Sequence, residues 1–165
     1  MLLIVAGLGY LGWRRWSPPP TFSGIHSIVI LPLENLSGEP SQDYFADGLT
    51  EELINNLGQV SALRVISLTS SMSFKGTRKT LPQIAKELSV DAAVEGGVLR
   101  DGDQMRVSIQ LMDARTDRPL WSHTYLRNIS DAQQWEGEVA EAIAAEISTK
   151  WPPGEQARLA TARQQ

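Results

Sequence analysis

Three glycines near the amino terminus have the spacing of a phosphate-binding turn. The apolar run Leu2-Leu3-Ile4-Val5 leads into Gly7-Leu8-Gly9-Tyr10-Leu11-Gly12, a G-x-G-x-x-G pattern, and Glu34 ends another apolar run further on. In a dinucleotide-binding fold such glycines open a helix whose amides and dipole hold a pyrophosphate. Here Pro18, Pro19 and Pro20 would stop that helix after a turn or two, because proline lacks the amide donor and clashes with the preceding turn. Glycines within an apolar membrane segment account for the pattern, and a nucleotide-binding enzyme is kept only as a remote alternative.

Other residue types that do chemistry are present without their partners. His26 and His123 are the two histidines, and neither has a second nitrogen ligand or a carboxylate at helical spacing, so no metal is expected. The serines between positions 67 and 73 lack a G-x-S-x-G elbow and a neighbouring base. Asp43, Asp47, Glu51 and Glu52 could form an acid and base pair on one helix, but their pattern is that of a solvated face with acids near the helix start. Cysteine is absent, which removes disulfides, thiol nucleophiles and Cys-type zinc sites. No catalytic residue and no cofactor is expected, and the chain reads as a non-enzyme.

The elements that would carry a site begin after an apolar start. Residues 1–13 carry no charge, which is short for a full span of about 20 residues, and Arg14 and Arg15 follow the stretch where a secretory signal has its basic residues before it. Residues 1–16 are expected to be a truncated transmembrane anchor, and residues 17–24, with their three prolines, a stiff spacer. The charge rule alone would place Arg14 and Arg15, and the domain after them, on the cytoplasmic side. The net charge of −4, with no basic block beyond that pair, argues against direct nucleic-acid binding.

Residues 25–151 then read as one α/β domain with a mixed sheet, in the order β-α-β-α-β-β-β-α. A β-branched run at residues 27–33 predicts a central strand. Phe45, Leu49, Leu53 and Leu57, with Ile54, predict an amphipathic helix. Residues 63–68 predict a second strand, and residues 69–79 a polar connection. Thr80 and Gln83 have capping-box spacing ahead of a helix with Ile84, Ala85 and Leu88 on its apolar face. A hairpin is expected around Asp101-Gly102, with Met105, Val107, Ile109 and Leu111 alternating against polar residues. Residues 120–125 give a third hairpin strand. Ser130 and Gln133 would cap a last helix lined by Trp135, Val139, Ile143 and Ile147, and residues 152–165 read as a polar linker.

The stretch Ile28-Val29-Ile30-Leu31-Pro32-Leu33-Glu34-Asn35-Leu36-Ser37-Gly38, followed by Asp43-Tyr44-Phe45-Ala46-Asp47-Gly48-Leu49-Thr50-Glu51-Glu52-Leu53, resembles the bacterial TolB amino-terminal-like or FlgO-like domain family. The likeness continues through Val94-Glu95-Gly96-Gly97-Val98 and Leu120-Trp121-Ser122, and covers about residues 25–149. It implies a domain outside the cytoplasm, beyond a single membrane helix in the inner membrane. Upstream it implies a CadC-like winged-helix, nucleotide-cyclase or Ser/Thr-kinase domain, and downstream tetratricopeptide repeats. Within the motif, Pro32 and Gly38 would shape a loop, and Gly48 would let a helix approach the sheet.

The resulting expectation is a non-catalytic interaction or sensory module of a membrane-anchored regulator, with a protein partner or envelope component as its target and its oligomeric state open. A structural adaptor that positions following repeats is the alternative. The loops at residues 35–42 and 69–76 leave the ends of central strands, where open α/β sheets bind ligands. The candidate contact residues there are Asn35, Ser37, Asp43, Ser70, Ser71 and Lys75.

Overall fold

The structure is a computed structural model that describes residues 24–128, 130 and 132–150, with 132–136 described by backbone alone. The expected anchor at 1–16, nearly all of the spacer at 17–24 and the linker at 152–165 lie outside the described residues. So do the side chains of Gln133 and Trp135.

Strand β1 (Ser27–Ile30) is buried throughout, its Ile28-Val29-Ile30 run apolar on both faces and its Ser27 hydroxyl donating to Asp91 Oδ2 at 2.8 Å. It pairs in parallel with β3 (Arg64–Val65) on one side and with β4 (Ala92–Asp101) on the other. Next to β4 lies β5 (Gln104–Asp113), and next to that β6 (Arg118–Asn128), both antiparallel. The order β3-β1-β4-β5-β6 is joined by a short strand β2 (Glu34–Asn35), which continues the line of β1 along β4. Among the described residues this is a mixed α+β fold with a six-stranded mixed sheet and four helices.

Helices cover the two sheet faces unequally. On one face α1 (Asp43–Gly58) and α4 (Ala132–Thr149) bury Leu49, Leu53, Leu57, Val139, Ile143 and Ile147 against Ile28, Ile30, Val94 and the inward residues of β5. On the other face α3 (Leu81–Leu88) packs Leu81 and Ala85 on Val29, Ala93 and Met112. The α3 amino terminus is held as its sequence predicts, with the Thr80 N–H donating to Gln83 Oε1 at 2.9 Å. Beyond α3, Arg106, Gln110, Ser122 and Thr124 leave that face of the hairpins exposed and largely polar, with Leu126 exposed beside Arg106.

Four local expectations shift. The first strand is broken at Pro32, with β2 resuming after it. The strand expected at 63–68 pairs only through Arg64 and Val65, and a short helix α2 (Leu68–Met72) occupies the start of the polar connection. Its cap is the Ser67 hydroxyl, which accepts the Ser70 N–H. The first hairpin closes on Gly102-Asp103 instead of Asp101-Gly102, because Asp101 pairs with Gln104, and Gly102 carries the positive φ of +59° that the tight turn needs. Finally, Gly48 is exposed and a Cβ there would meet nothing within 4 Å, so it serves no close approach.

Candidate functional site

Chain direction creates a groove at the carboxyl end of β1. From β1 the chain crosses by α1 over one face to β3, then passes through α2 at the end of β1 and by α3 over the other face to β4, on the opposite side of β1. Such a switch point leaves a crevice beyond the strand ends, uncovered by either crossover. Here it is an open groove of about 770 Å³. One wall is the segment from Leu31 to Leu36, the other is the α2–α3 loop from Phe74 to Thr77, and Glu95, Gly96 and Gly97 form the floor.

Pro32 sets the shape of the first wall. Leu31 still donates its N–H to Val94 O at 2.9 Å, but Pro32 has no N–H, and Leu33 turns its own away from the sheet to Thr50 Oγ1 at 3.0 Å. The ladder resumes when Leu36 N–H donates to Val98 O at 2.8 Å. On β4 opposite this break lie the two glycines. A Cβ at Gly96 would collide with the Ser108 carbonyl oxygen, and a Cβ at Gly97 would lie 2.7 Å from Leu36 Cδ1. Close backbone approach therefore requires glycine at Gly96, whereas at Gly97 the nearest neighbour is a side chain.

Three of the six expected contact residues line the groove: Asn35, Asp43 and Lys75. Asn35 Nδ2 donates to Glu39 O at 2.8 Å and to Asp43 Oδ1 at 2.7 Å, while its Oδ1 accepts the Ser37 N–H at 3.0 Å. Lys75 Nζ donates to both carboxylate oxygens of Asp47, at 2.6 and 2.7 Å, which ties the α2–α3 loop to α1. Ser37 lies in a smaller adjoining hollow beside Arg100, whose main-chain N–H donates to Ser37 Oγ at 2.9 Å. Ser70 is exposed on α2, outside the groove lining. Ser71 is fully buried beneath the wall and its hydroxyl donates to Ile30 O.

Residue-type reasoning did not single out Glu34, Leu36, Glu95 and the Gly96-Gly97 pair as site residues. The glycine pair inside a strand pattern was the one available signal for close approach. Glu95 on β4 is half-buried, and its carboxyl is held above the usual glutamate range by burial first, then by repulsion from Asp117 and Glu34.

The remaining chemical candidates stay apart. Asp47 is engaged by Lys75, and Glu51 and Glu52 are exposed. His123 lies on β6 between Trp121 and Tyr125, with ring centroids 6.0 and 4.6 Å away. Among the described residues no group of three or more histidines and carboxylates could hold a metal ion, and no helix is long and apolar enough to cross a membrane. The Gly7-x-Gly9-x-x-Gly12 pattern falls outside the described residues.

Comparison with known proteins places this architecture. The chain is 38% identical over 141 residues to a protein of Rhizobium meliloti (strain 1021) named "Putative adenylate cyclase 3", a match that takes in 86% of this chain and 24% of that protein. The chain thus spans about a quarter of that relative's length. Among solved structures, TolB from Acinetobacter baumannii superposes with a TM-score of 0.53 at 17% identity, over 73% of this chain and 28% of TolB. Lipoprotein GNA1162 from Neisseria meningitidis gives 0.52 at 18% identity, over 72% of this chain and 96% of the lipoprotein. The likeness to TolB thus holds at the level of the fold. Residues 25–145 match the family model of the HilA/YgeH-like transcriptional regulator, second domain, and the chain belongs to that family.

Proposed function

We propose that this chain is a non-catalytic interaction and sensory module of a membrane-anchored bacterial regulator, and that the groove at the end of β1 is its contact surface. The observation that carries this reading is the groove itself. It lies at the switch point of the sheet, and its walls are fixed by the Asn35–Asp43 and Lys75–Asp47 bonds, so that its shape is largely set before a partner arrives. Membership of a transcriptional-regulator domain family supports a regulatory role, with the output performed elsewhere in the protein.

Residues 1–16 would be the anchor, 17–24 the spacer, 25–151 the domain and 152–165 a linker, with the domain facing the periplasm. Reporter fusions after Gly154 test the orientation: phosphatase activity supports it, and cytoplasmic fluorescence alone overturns it. A photo-crosslinking amino acid at Thr77, in the groove, should form an adduct with a partner in cells, while the same group at Lys86 on α3 should not. Equal labelling from both positions would remove the groove as the contact surface.

The structural-adaptor reading is favoured by one feature, the use of Asn35 and Ser37 in bonds internal to the domain. It predicts that no adduct forms from Thr77 and that output survives replacement of residues 25–149 by a spacer of equal reach.

A further inference from the structure

The groove has a free strand edge along one wall and an excess of negative charge. Among the described residues β2 pairs with a strand on the β4 side alone, so its other edge can accept the main chain of an incoming strand. The register pairs Glu34 with Gly97, which puts Glu34 on the same sheet face as Gly97 and as Glu95 two residues earlier. Gly97 contributes no side chain of its own, and the Leu36 side chain lies over it, 2.7 Å from where a Cβ would be. Leu36, 52% exposed, lies on the same face and offers the rim an apolar contact.

Charge decides what suits this space. The lining holds Glu34, Asp43 and Glu95 against Lys75 and Lys79. Both lysines are already paired with carboxylates outside the lining, Lys75 with Asp47 and Lys79 with Glu87. Asp43 has the neutral amide of Asn35 as its bonding partner. Burial first, and then repulsion from Asp117 and Glu34, raises the Glu95 carboxyl. A cationic ligand would lower the energy of the groove, whereas an acidic one would meet three like charges.

Resting on the interaction reading above, we propose that the groove docks an extended, basic segment of a protein partner, which pairs along the free edge of β2 and places a lysine or arginine side chain between Glu34 and Glu95. Backbone pairing would supply the affinity common to such strand addition, and the two carboxylates would select the basic residue. Alternate residues of the incoming strand point to one face, so the segment would carry its basic residues at every second position.

The test is a titration of the full chain, isotopically labelled, with a blocked hexapeptide of alternating valine and lysine, and in parallel with the same peptide carrying glutamate in place of lysine. The lysine peptide is expected to move the amide signals of Glu34, Asn35, Thr77 and Gly97. The Glu34→Gln/Glu95→Gln double variant should weaken its binding about tenfold, and the glutamate peptide should give no response. Equal responses to the two peptides, shifts confined to other surfaces, or unchanged affinity in the double variant would each overturn the proposal. So would spermidine binding as tightly as the peptide, since that marks a site for small cations without strand pairing. If the Thr77 adduct forms in cells while the lysine peptide fails to bind, the basic chemistry is wrong and the interaction module stands.

Discussion

The hydroxyl of Thr50, on α1, accepts the main-chain N–H of Leu33 at 3.0 Å in a fully buried setting, and donates in turn to Ala46 O at 2.8 Å. This bond lets the chain leave the sheet at Pro32 and return to it at Glu34 without an unpaired buried amide. Thr50→Val keeps the shape and removes the acceptor. The variant is expected to lose about 1–3 kcal/mol of stability, the cost of a buried unsatisfied donor. Thr50→Ser, which keeps the oxygen, should lose less. Urea unfolding monitored by far-UV circular dichroism reads both, with the slope unchanged.

Ser71 stabilises the same wall from below. Its hydroxyl donates to Ile30 O at the end of β1, and the side chain has no exposed surface. Ser71→Ala is expected to cost about 1 kcal/mol or more, while Ser70→Ala, on the exposed side of the same helix, should change stability by less than about 0.5 kcal/mol. Equal effects at the two serines would contradict the burial that separates them.

The two glycines on β4 should differ in their tolerance. At Gly96 the added methyl meets a backbone carbonyl, that of Ser108, which cannot move without disturbing the β4–β5 pairing. At Gly97 it meets the exposed side chain of Leu36, which can turn away. Gly96→Ala is therefore expected to cost about 2 kcal/mol or more, and Gly97→Ala less. Because Leu36 must move in the second variant, its amide signal should shift even where the melting temperature hardly changes.

These relationships explain which parts of the molecule could be read in advance. The period of two in Met105, Val107, Ile109 and Leu111 and the period near four in Leu49, Leu53 and Leu57 are local, and both elements form on the expected faces. The sheet register is not local. Glu34 and Glu95 share a face only because Asn35 pairs with Val98, and Lys75 reaches Asp47 only when α2 and α1 are docked. Ser70 and Ser71 are equivalent as residue types, and packing against Ile30 alone distinguishes them. Thr50 falls on the helix stripe, but its polar role depends on an amide freed by a proline elsewhere. Each of the site features that went unread depends on a contact between segments that sequence patterning treats separately.

Glu95 gives the domain a dependence on pH of defined sign. Burial, then Asp117 and Glu34, raise its carboxyl pKa in the folded state, whereas in the unfolded chain these causes are largely absent. Between the unfolded value and the raised folded value the native state holds more of the proton than the unfolded state does. Stability from this group therefore falls as pH rises through that window; the full penalty is present above the folded value and has gone below the unfolded value. Glu95→Gln removes the charge and keeps the shape, so it should be more stable than the parent at neutral pH. Solvent screening of this half-exposed group holds the gain to about 0.5 kcal/mol. Urea unfolding of both proteins across the acid range should show the difference shrinking towards zero as pH falls through the window. A difference that instead grows on acidification would mean that the carboxylate is stabilised in the folded state, and that the groove is less negative than its geometry requires.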